Sequence, residues 1–123
     1  MNISNDLPRL EGYMILVFPP DAEISQITQY LSKNVEVDKY TDCINITYAQ
    51  VDDIYSFELD DLLTELFALC DLDVIQTVCK LFNGKPLIDI AFYHNDIYPA
   101  LVFEGKNMEI IHLLGADISI DPY

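Results

Sequence analysis

Basic residues are scarce in this 123-residue sequence, which has 6 Lys and Arg residues against 21 Asp and Glu residues and a formal net charge of −15. Proteins that bind DNA or RNA directly neutralise its phosphates with Lys and Arg side chains, and too few are present here for that task. Like charges on a folded chain repel one another, so a charge of this size is expected to serve solubility or the recruitment of a basic partner.

Glycine clusters and long apolar runs are also missing. The 4 Gly residues are dispersed, which excludes the glycine-rich loops that hold nucleotide phosphates. The longest apolar run, residues 13–18, is far shorter than the roughly 20 residues that span a bilayer. The polar N-terminus has no signal-peptide pattern, and 3 Cys residues in apolar contexts indicate buried, reduced thiols rather than disulfides. We therefore expect a cytoplasmic protein without a membrane segment.

No pattern for catalysis or metal binding is present in the sequence. Asp71 and Asp73 begin like a calcium-binding loop, but the Gly and Glu that complete such a loop are missing. The cysteines include no Cys-x-x-Cys pair of the kind that binds zinc. His94 has no partner in the sequence, and His112 lies inside an apolar run, which places it at the edge of the core. We expect no enzymatic activity, no cofactor and no metal site.

Apolar runs and alternating patterns predict several strands. These strands are expected at residues 13–18, 35–51 (two strands), 54–59, 87–93, 100–103 and 118–120. The run at residues 13–18 is continuously apolar, which is typical of a central strand. In the second of the two strands at residues 35–51, Ile44, Ile46 and Tyr48 alternate with Asn45 and Thr47, so one face of the strand is expected on the core and the other in water. Tyr48 is also one of the tyrosines interleaved with acids, together with Tyr40 and Tyr55.

Apolar residues at helical spacing predict four helices, at residues 24–31, 59–70, 74–82 and 108–114. The expected N-caps are Asp21, Asp71 or Asp73, and Asn107, and Asn83 and Gly84 are expected to end the third helix. The order of elements predicts an α+β fold in a single domain spanning residues 1–123. Its sheet is expected to be mixed or mainly antiparallel, with about four short helices packed on one face.

The acidic residues are concentrated in one segment of the chain. Residues 36–73 contain eleven acids and one base, a net charge of −10, whereas the rest of the chain has a net charge of −5. Tyrosines are interleaved with these acids, as in interfaces that bind Lys and Arg; alternatively, they cover the edge of the core with their hydroxyl groups in water. The predicted partner-binding surface consists of Asp38, Tyr40, Asp42, Asp52, Asp53, Tyr55, Glu58, Asp60, Asp61 and Glu65.

The acids in the helix after Leu59 have both unfavourable and favourable effects on its stability. Its apolar stripe faces the core, so Asp61, Thr64 and Glu65 are expected to face outward. Asp61 and Glu65 form a like-charge pair four residues apart, which costs about 0.2–0.5 kcal/mol. Asp60 and Asp61 each stabilise the helix by about 0.3–1 kcal/mol, because their negative charges lie near its N-terminus and interact favourably with the helix dipole. The helix by itself therefore does not require a partner.

Two stretches of the sequence resemble a family of bacterial domains of uncharacterised function. Residues 110–123, Ile-Ile-His-Leu-Leu-Gly-Ala-Asp-Ile-Ser-Ile-Asp-Pro-Tyr, are similar to an ending in which a helix, a Leu-Gly-Ala turn and a strand follow one another. The Pro-Pro-Asp-Ala-Glu-Ile sequence at residues 19–24 is similar to the start of that family's first helix. The family usually has a Trp near mid-chain, where this chain has Tyr55 and Phe57. The shared pattern implies a structural likeness and carries over no functional residue.

Small acidic chains of this type also resemble bacterial immunity proteins, which neutralise the toxins of polymorphic and contact-dependent growth-inhibition systems. The resemblance implies that the chain binds a basic toxin domain, often a nuclease, through its acidic surface and contacts neither nucleic acid nor membrane. One alternative is a nucleic-acid mimic or another acidic protein-binding module of a bacterial defence system. Two others are an enzyme with a non-standard site and a structural domain whose acids only confer solubility.

Overall fold

The computed structural model describes residues 9–31, 43–51, 59–93 and 105–122, together with the backbone of residues 36–38. The elements in these ranges are β1 (Arg9–Val17), α1 (Ile24–Thr28), β2 (Glu36–Asp38), β3 (Cys43–Val51), α2 (Leu59–Ala68), α3 (Leu72–Phe82), β4 (Lys85–Tyr93), α4 (Gly105–Leu114) and β5 (Asp117–Pro122). The strand predicted at residues 100–103 and the residues before Leu59 in the predicted strand 54–59 lie outside the described ranges.

The described strands form one open sheet in the order β2-β3-β1-β4-β5. β1 pairs antiparallel with both β3 and β4, and β2 pairs antiparallel with β3. β4 and β5 run parallel, because α4 lies between β4 and β5 in the chain and returns it to the same end of the sheet. The predictions of an α+β fold, a mixed and mainly antiparallel sheet and a central first strand are confirmed.

One face of the sheet is buried by the helices. The buried residues of β1 alternate along the strand and are Leu10, Gly12, Met14 and Leu16. The pairing register places Ile88 and Ile90 of β4 on the same face. Each described helix adds buried residues to the same core cluster, including Ile27 (α1), Leu62 and Leu66 (α2), Ile75 and Val78 (α3) and Leu114 (α4). The helices therefore pack on one face of the sheet, as predicted.

Gly12 sets the distance between α2 and the sheet. A β-carbon at this position would lie 3.1 Å from Cδ2 of Leu62, which is tighter than normal van der Waals contact. The missing side chain allows the leucine-rich face of α2 to pack directly on the central strand. Leu62 is accordingly fully buried.

The ends of α3 form as its sequence predicts. The Asp71 carboxylate accepts a hydrogen bond from the Val74 amide at 3.2 Å, so Asp71 rather than Asp73 is the N-cap. At the other end, Asn83 adopts the left-handed conformation with φ 57°, and the Gly84 amide donates to the Cys79 carbonyl at 2.9 Å. These local signals determine both boundaries of the helix.

The start of α1 differs from its prediction. Glu23, not Asp21, is the residue before the helix, and its side chain makes no capping hydrogen bond. Asp21 lies within a turn closed by a hydrogen bond from the Ala22 amide to the Pro19 carbonyl, 3.0 Å long. The turn occupies the residues that were expected to begin the helix, and regular α-helix ends at Thr28, three residues before the predicted end.

A β-bulge in β3 overturns the predicted facing of its side chains. The register with β1 shifts at Met14 and Ile15, which pair with Thr47 and Asn45, so Ile46 is an extra residue in the strand. One extra residue inverts the alternation beyond it. Ile44 is buried, whereas Tyr48, on the other side of the bulge, no longer shares its face and is 40% exposed.

None of the helices in the described part of the chain is long and apolar enough to cross a membrane.

Candidate functional site

The structure describes three of the predicted partner-binding side chains in full. They are Asp60, Asp61 and Glu65, and all three belong to α2. Asp38 lies in β2, where only the backbone is described. The other predicted residues lie outside the described ranges and are Tyr40, Asp42, Asp52, Asp53, Tyr55 and Glu58.

The amphipathic pattern of α2 orients these acids. Its buried residues are Leu59, Leu62, Leu63, Leu66 and Phe67. Because these residues face the core, Asp61, Thr64 and Glu65 lie on the opposite, exposed side, as predicted. The outward face of α2 is therefore acidic, with no Lys or Arg anywhere in the helix.

Asp61 and Glu65 are not neutralised by the described part of the chain. The ion pairs in these ranges join Arg9 Nε to Glu11 Oε1 at 3.0 Å and Lys85 Nζ to Asp117 Oδ2 at 3.2 Å. Both pairs join residues of strands, and neither includes a residue of α2. The two outward carboxylates of α2 thus retain their like-charge repulsion, at a cost of about 0.2–0.5 kcal/mol.

Asp60 has a structural contact that the sequence did not reveal. The Nδ2 amide of Asn107 lies 2.8 Å from Asp60 Oδ1, 3.2 Å from the Asp60 carbonyl and 3.1 Å from Thr64 Oγ1. Asn107 is only 4% exposed. Its side chain therefore joins α4 to the first turn of α2, and Asp60 is less accessible to a partner than Asp61.

The prediction that Asn107 caps α4 is consequently wrong. The helix begins at Gly105, and Asn107 lies inside it. A buried amide needs hydrogen-bonding partners, and Asn107 finds them on a helix 47 residues earlier in the chain. The sequence does contain a signal for burial, because Asn107 precedes Ile111 and Leu114 at helical spacing and so shares the inward side of α4.

A groove of about 450 Å³ lies between α2 and β3, beside Glu65. Its lining residues are Tyr48, Ala49, Gln50, Glu65, Ala68 and Leu69. Two of them are large and solvent-accessible, since Tyr48 is 40% and Leu69 62% exposed. The Tyr48 ring itself packs against Tyr13 on the helix-free face of the sheet, because the bulge at Ile46 turns it away from the core. The groove thus combines an exposed apolar side chain, Leu69, with Glu65 of the acidic face of α2.

Tyr48 is held in place by its neighbours on the sheet. Its ring packs against that of Tyr13, with centroids 5.0 Å apart, and its hydroxyl donates to Gln50 Oε1. Burial, together with the nearby charge of Glu11, raises the pKa of the Tyr48 phenol above its usual 10.0. The phenol is therefore uncharged at neutral pH and presents a fixed aromatic surface.

Other side chains lie near Tyr48 on the face of the sheet that the helices do not cover. Glu11 forms the ion pair with Arg9, and the Arg9 guanidinium carbon lies 3.8 Å from the centroid of the Tyr93 ring. This contact is a cation–π interaction, and the carboxylate on the other side completes the recognition of the guanidinium. The chain therefore contains one arginine held between a carboxylate and a tyrosine.

Cys70 and Cys79 have the properties of structural thiols. Burial raises the pKa of both Cys70 and Cys79 to about 11, so both are protonated thiols at neutral pH and weak nucleophiles. Both side chains are half-buried rather than fully buried. His112 is exposed, not at the core edge as expected, and His94 lies outside the described ranges. Within these ranges, no three His, Cys, Asp or Glu side chains are grouped to share a metal ion.

Comparison of the chain with protein-family models, with curated protein sequences and with solved structures gave no significant match. Function is therefore inferred from the residues and geometry of this chain.

Proposed function

We propose that this protein is a bacterial immunity protein, a non-catalytic cytoplasmic inhibitor that binds a basic toxin domain of the nuclease type. The observation that carries the proposal is the outward face of α2. There, Asp61 and Glu65 are exposed with no ion-pair partner among the described residues, and Glu65 lines a groove together with the exposed Leu69. Acids that serve solubility alone do not need an exposed apolar side chain beside them.

A basic partner would gain from this surface in two ways. The net charge of −15 would attract it over a distance and raise the association rate, to as much as about 10⁸–10⁹ M⁻¹s⁻¹ at low salt. Lys or Arg side chains of the partner would then attract the Asp61 and Glu65 carboxylates and offset the repulsion between them. Tyrosine and apolar contacts at the centre of the interface would slow dissociation.

The proposed mode of inhibition follows from the chemistry of nucleases. A basic cleft that binds phosphates also attracts carboxylates. The acidic surface of the immunity protein would occupy or cover the cleft and exclude the nucleic acid. In this mode of inhibition the protein acts by occupying the cleft, and none of its own groups needs to take part in a reaction.

Copurification tests the proposal directly. The protein is expressed with the products of its neighbouring genes and captured at about 50 mM and about 500 mM salt, since exposed charges are screened at the higher concentration. We expect a basic protein to be retained more strongly at low salt, with its nuclease activity inhibited in the complex. Capture of no basic protein, or equal capture at both salt concentrations, would show the proposal to be wrong.

A matched pair of variants tests the choice of surface. The double variant Asp61→Asn/Glu65→Gln removes two charges from α2, and Glu109→Gln/Asp121→Asn removes two exposed charges from α4 and β5. We expect the first to weaken binding at least about tenfold, a loss of about 1.4 kcal/mol. The control should weaken it much less. Equal losses would mean that only the total charge matters.

A further inference from the structure

We propose that Asp89 and Asp121 form a pH-sensitive switch that determines how firmly the C-terminal half of β5, residues 120–122, is attached to the sheet. Asp89 belongs to β4 and Asp121 to β5, which is the last strand in the order of the sheet. Both residues lie on the face of the sheet that the helices do not cover. The inference concerns contacts within the chain and is independent of the proposed function.

The pairing register of β4 and β5 brings the two carboxylates together. Asp89 pairs with Ser119, and Asp121 lies two residues further along β5, so both acids are on the same face. Residues in this diagonal relation on neighbouring strands are close enough for their side chains to interact. Two negative charges in such an arrangement repel each other, so the pair opposes the attachment of β5 when both acids are ionised.

The other end of β5 has the same diagonal arrangement with the opposite sign of interaction. Asp117 pairs in register with Leu87, and its Oδ2 atom lies 3.2 Å from Nζ of Lys85, two residues earlier in β4. An attractive pair therefore joins the N-terminal half of β5 to β4, whereas a like-charge pair faces the C-terminal half. The effect of pH should consequently be confined to one half of the strand.

No base among the described residues neutralises the pair formed by Asp89 and Asp121. The other charged and titratable side chains on this face of β1, β4 and β5 are Arg9, Glu11, Tyr13, Lys85, Tyr93 and Asp117. Each of the two bases in this set is already paired with a different acid, at 3.0 Å and 3.2 Å. The side chain directly opposite Asp89 on β1 is a tyrosine, which supplies no positive charge.

The protonation of Asp89 follows the direction that this arrangement requires. Burial raises the pKa of Asp89 above its usual 3.8, and the negative charge of Asp121 raises it further. Detaching the end of β5 would remove the Asp121 charge, so the attached strand holds a proton on Asp89 more strongly than the detached strand does. Lowering the pH through the pKa of Asp89 therefore favours attachment, and raising the pH to neutrality restores the repulsion.

NMR measurements on the whole chain from about pH 3 to about pH 7 test the inference, because this interval spans the ionisation of aspartate. A ¹³C titration of the carboxyl groups should place the midpoint of Asp89 above 3.8 and show that it falls in Asp121→Asn. Amide hydrogen exchange, corrected for the intrinsic effect of pH, should show about two- to fivefold greater protection at the C-terminal half of β5 in acid than at neutral pH. The protection of Asp117 and Ile118 should change less.

Matched variants separate the switch from the general effect of acidity. Asp89→Asn and Asp121→Asn should each raise the protection of residues 120 and 121 at neutral pH and remove most of its pH dependence. The double variant should add little, because either change alone removes the repulsion. The control Asp61→Asn/Glu65→Gln removes two charges from α2 and should leave the pH dependence of β5 unchanged.

Three results would overturn the inference. The first is a midpoint of Asp89 that does not move in Asp121→Asn, since the two carboxylates would then not interact. The second is a pH dependence of β5 that persists in Asp89→Asn. The third is an equal reduction of that pH dependence in the α2 control, which would assign the effect to the total charge of the chain.

Discussion

Gly84 lies at the end of α3 against the ring of the core residue Phe18. The Asn-Gly pair was expected to end α3, and it does, but Asn83 rather than Gly84 adopts the left-handed conformation. Gly84 is required for space. A β-carbon there would lie only 2.7 Å from Cδ1 of Phe18, a core residue that is 4% exposed. The end of the helix therefore requires the left-handed conformation at Asn83, and the core requires the absence of a side chain at Gly84.

The variant Gly84→Ala is expected to destabilise the fold by about 1–3 kcal/mol, because the methyl group must displace a buried aromatic ring. The measurement is the free energy of unfolding in urea. Gly105→Ala is the matched control, since a β-carbon at Gly105 would meet no atom within 4 Å and would fall in the first turn of α4. This control should be unchanged or slightly stabilised, and equal losses at both glycines would contradict the steric explanation.

The cysteines illustrate a second effect at the scale of single residues. Their apolar sequence context predicts buried thiols, and the structure shows half-burial sufficient to raise the pKa of Cys70 and Cys79 to about 11. The Cys70 thiol also donates to the Leu66 carbonyl at 3.2 Å. Both groups remain protonated at neutral pH, so their contribution is to packing.

Contacts between helices decide how α4 is placed. Its apolar character is weak, and only Asn107 and Leu114 are buried among its ten residues. Ile110, Ile111 and Leu114 pack on the core, and hydrogen bonds add to these contacts. Asn107 contacts Asp60 and Thr64 of α2, and the Leu113 carbonyl accepts from Gln76 of α3 at 3.1 Å. Polar contacts thus attach the last helix to the two preceding ones.

We expect Asn107→Ala to lower the free energy of unfolding by about 1–3 kcal/mol, because the Asp60 carboxylate and the Thr64 hydroxyl of α2 lose the amide that donates to them. Chemical denaturation followed by circular dichroism provides the measurement. The neighbouring Met108 is 54% exposed, so Met108→Ala should change stability by no more than about 0.5 kcal/mol. A loss at Asn107 no larger than at Met108 would mean that the amide does not hold the helices together.

Self-repulsion dominates the electrostatics of the whole molecule. The chain has a net charge of −15, and the described residues contain two ion pairs, of which Lys85–Asp117 is mostly exposed. Exposed ion pairs contribute little, typically about 0–1 kcal/mol. The same charge that would recruit a basic partner therefore weakens the isolated protein.

Salt should accordingly stabilise the free protein. Raising sodium chloride from about 10 mM to about 200 mM shortens the screening length from about 30 Å to below about 10 Å, which reduces repulsion among the acids. We expect the midpoint of thermal unfolding to rise, and to rise less in Asp61→Asn/Glu65→Gln. A midpoint that falls with salt would show that attractive pairs outweigh the repulsion. Salt should therefore act in opposite directions on folding and on binding.

The sequence by itself determined the elements whose signals are local. The leucine spacing of α2 specifies which side of the helix is acidic, and the Asp71 cap and the Asn83 turn specify the ends of α3, because each signal involves residues within a few positions. The mixed, mainly antiparallel sheet also follows from the order of the elements. The outward positions of Asp61 and Glu65 were predictable for the same reason.

Only the tertiary structure decided the features that join distant parts of the chain. The bulge at Ile46 appears when β3 is paired with β1, and it turns the Tyr48 ring away from the core to pack against Tyr13. The contact of Asn107 with Asp60 spans 47 residues. No local pattern encodes such contacts, because their free energy depends on which surfaces the packed core brings together. The concentration of acids was visible in the sequence, but the groove beside it required the fold.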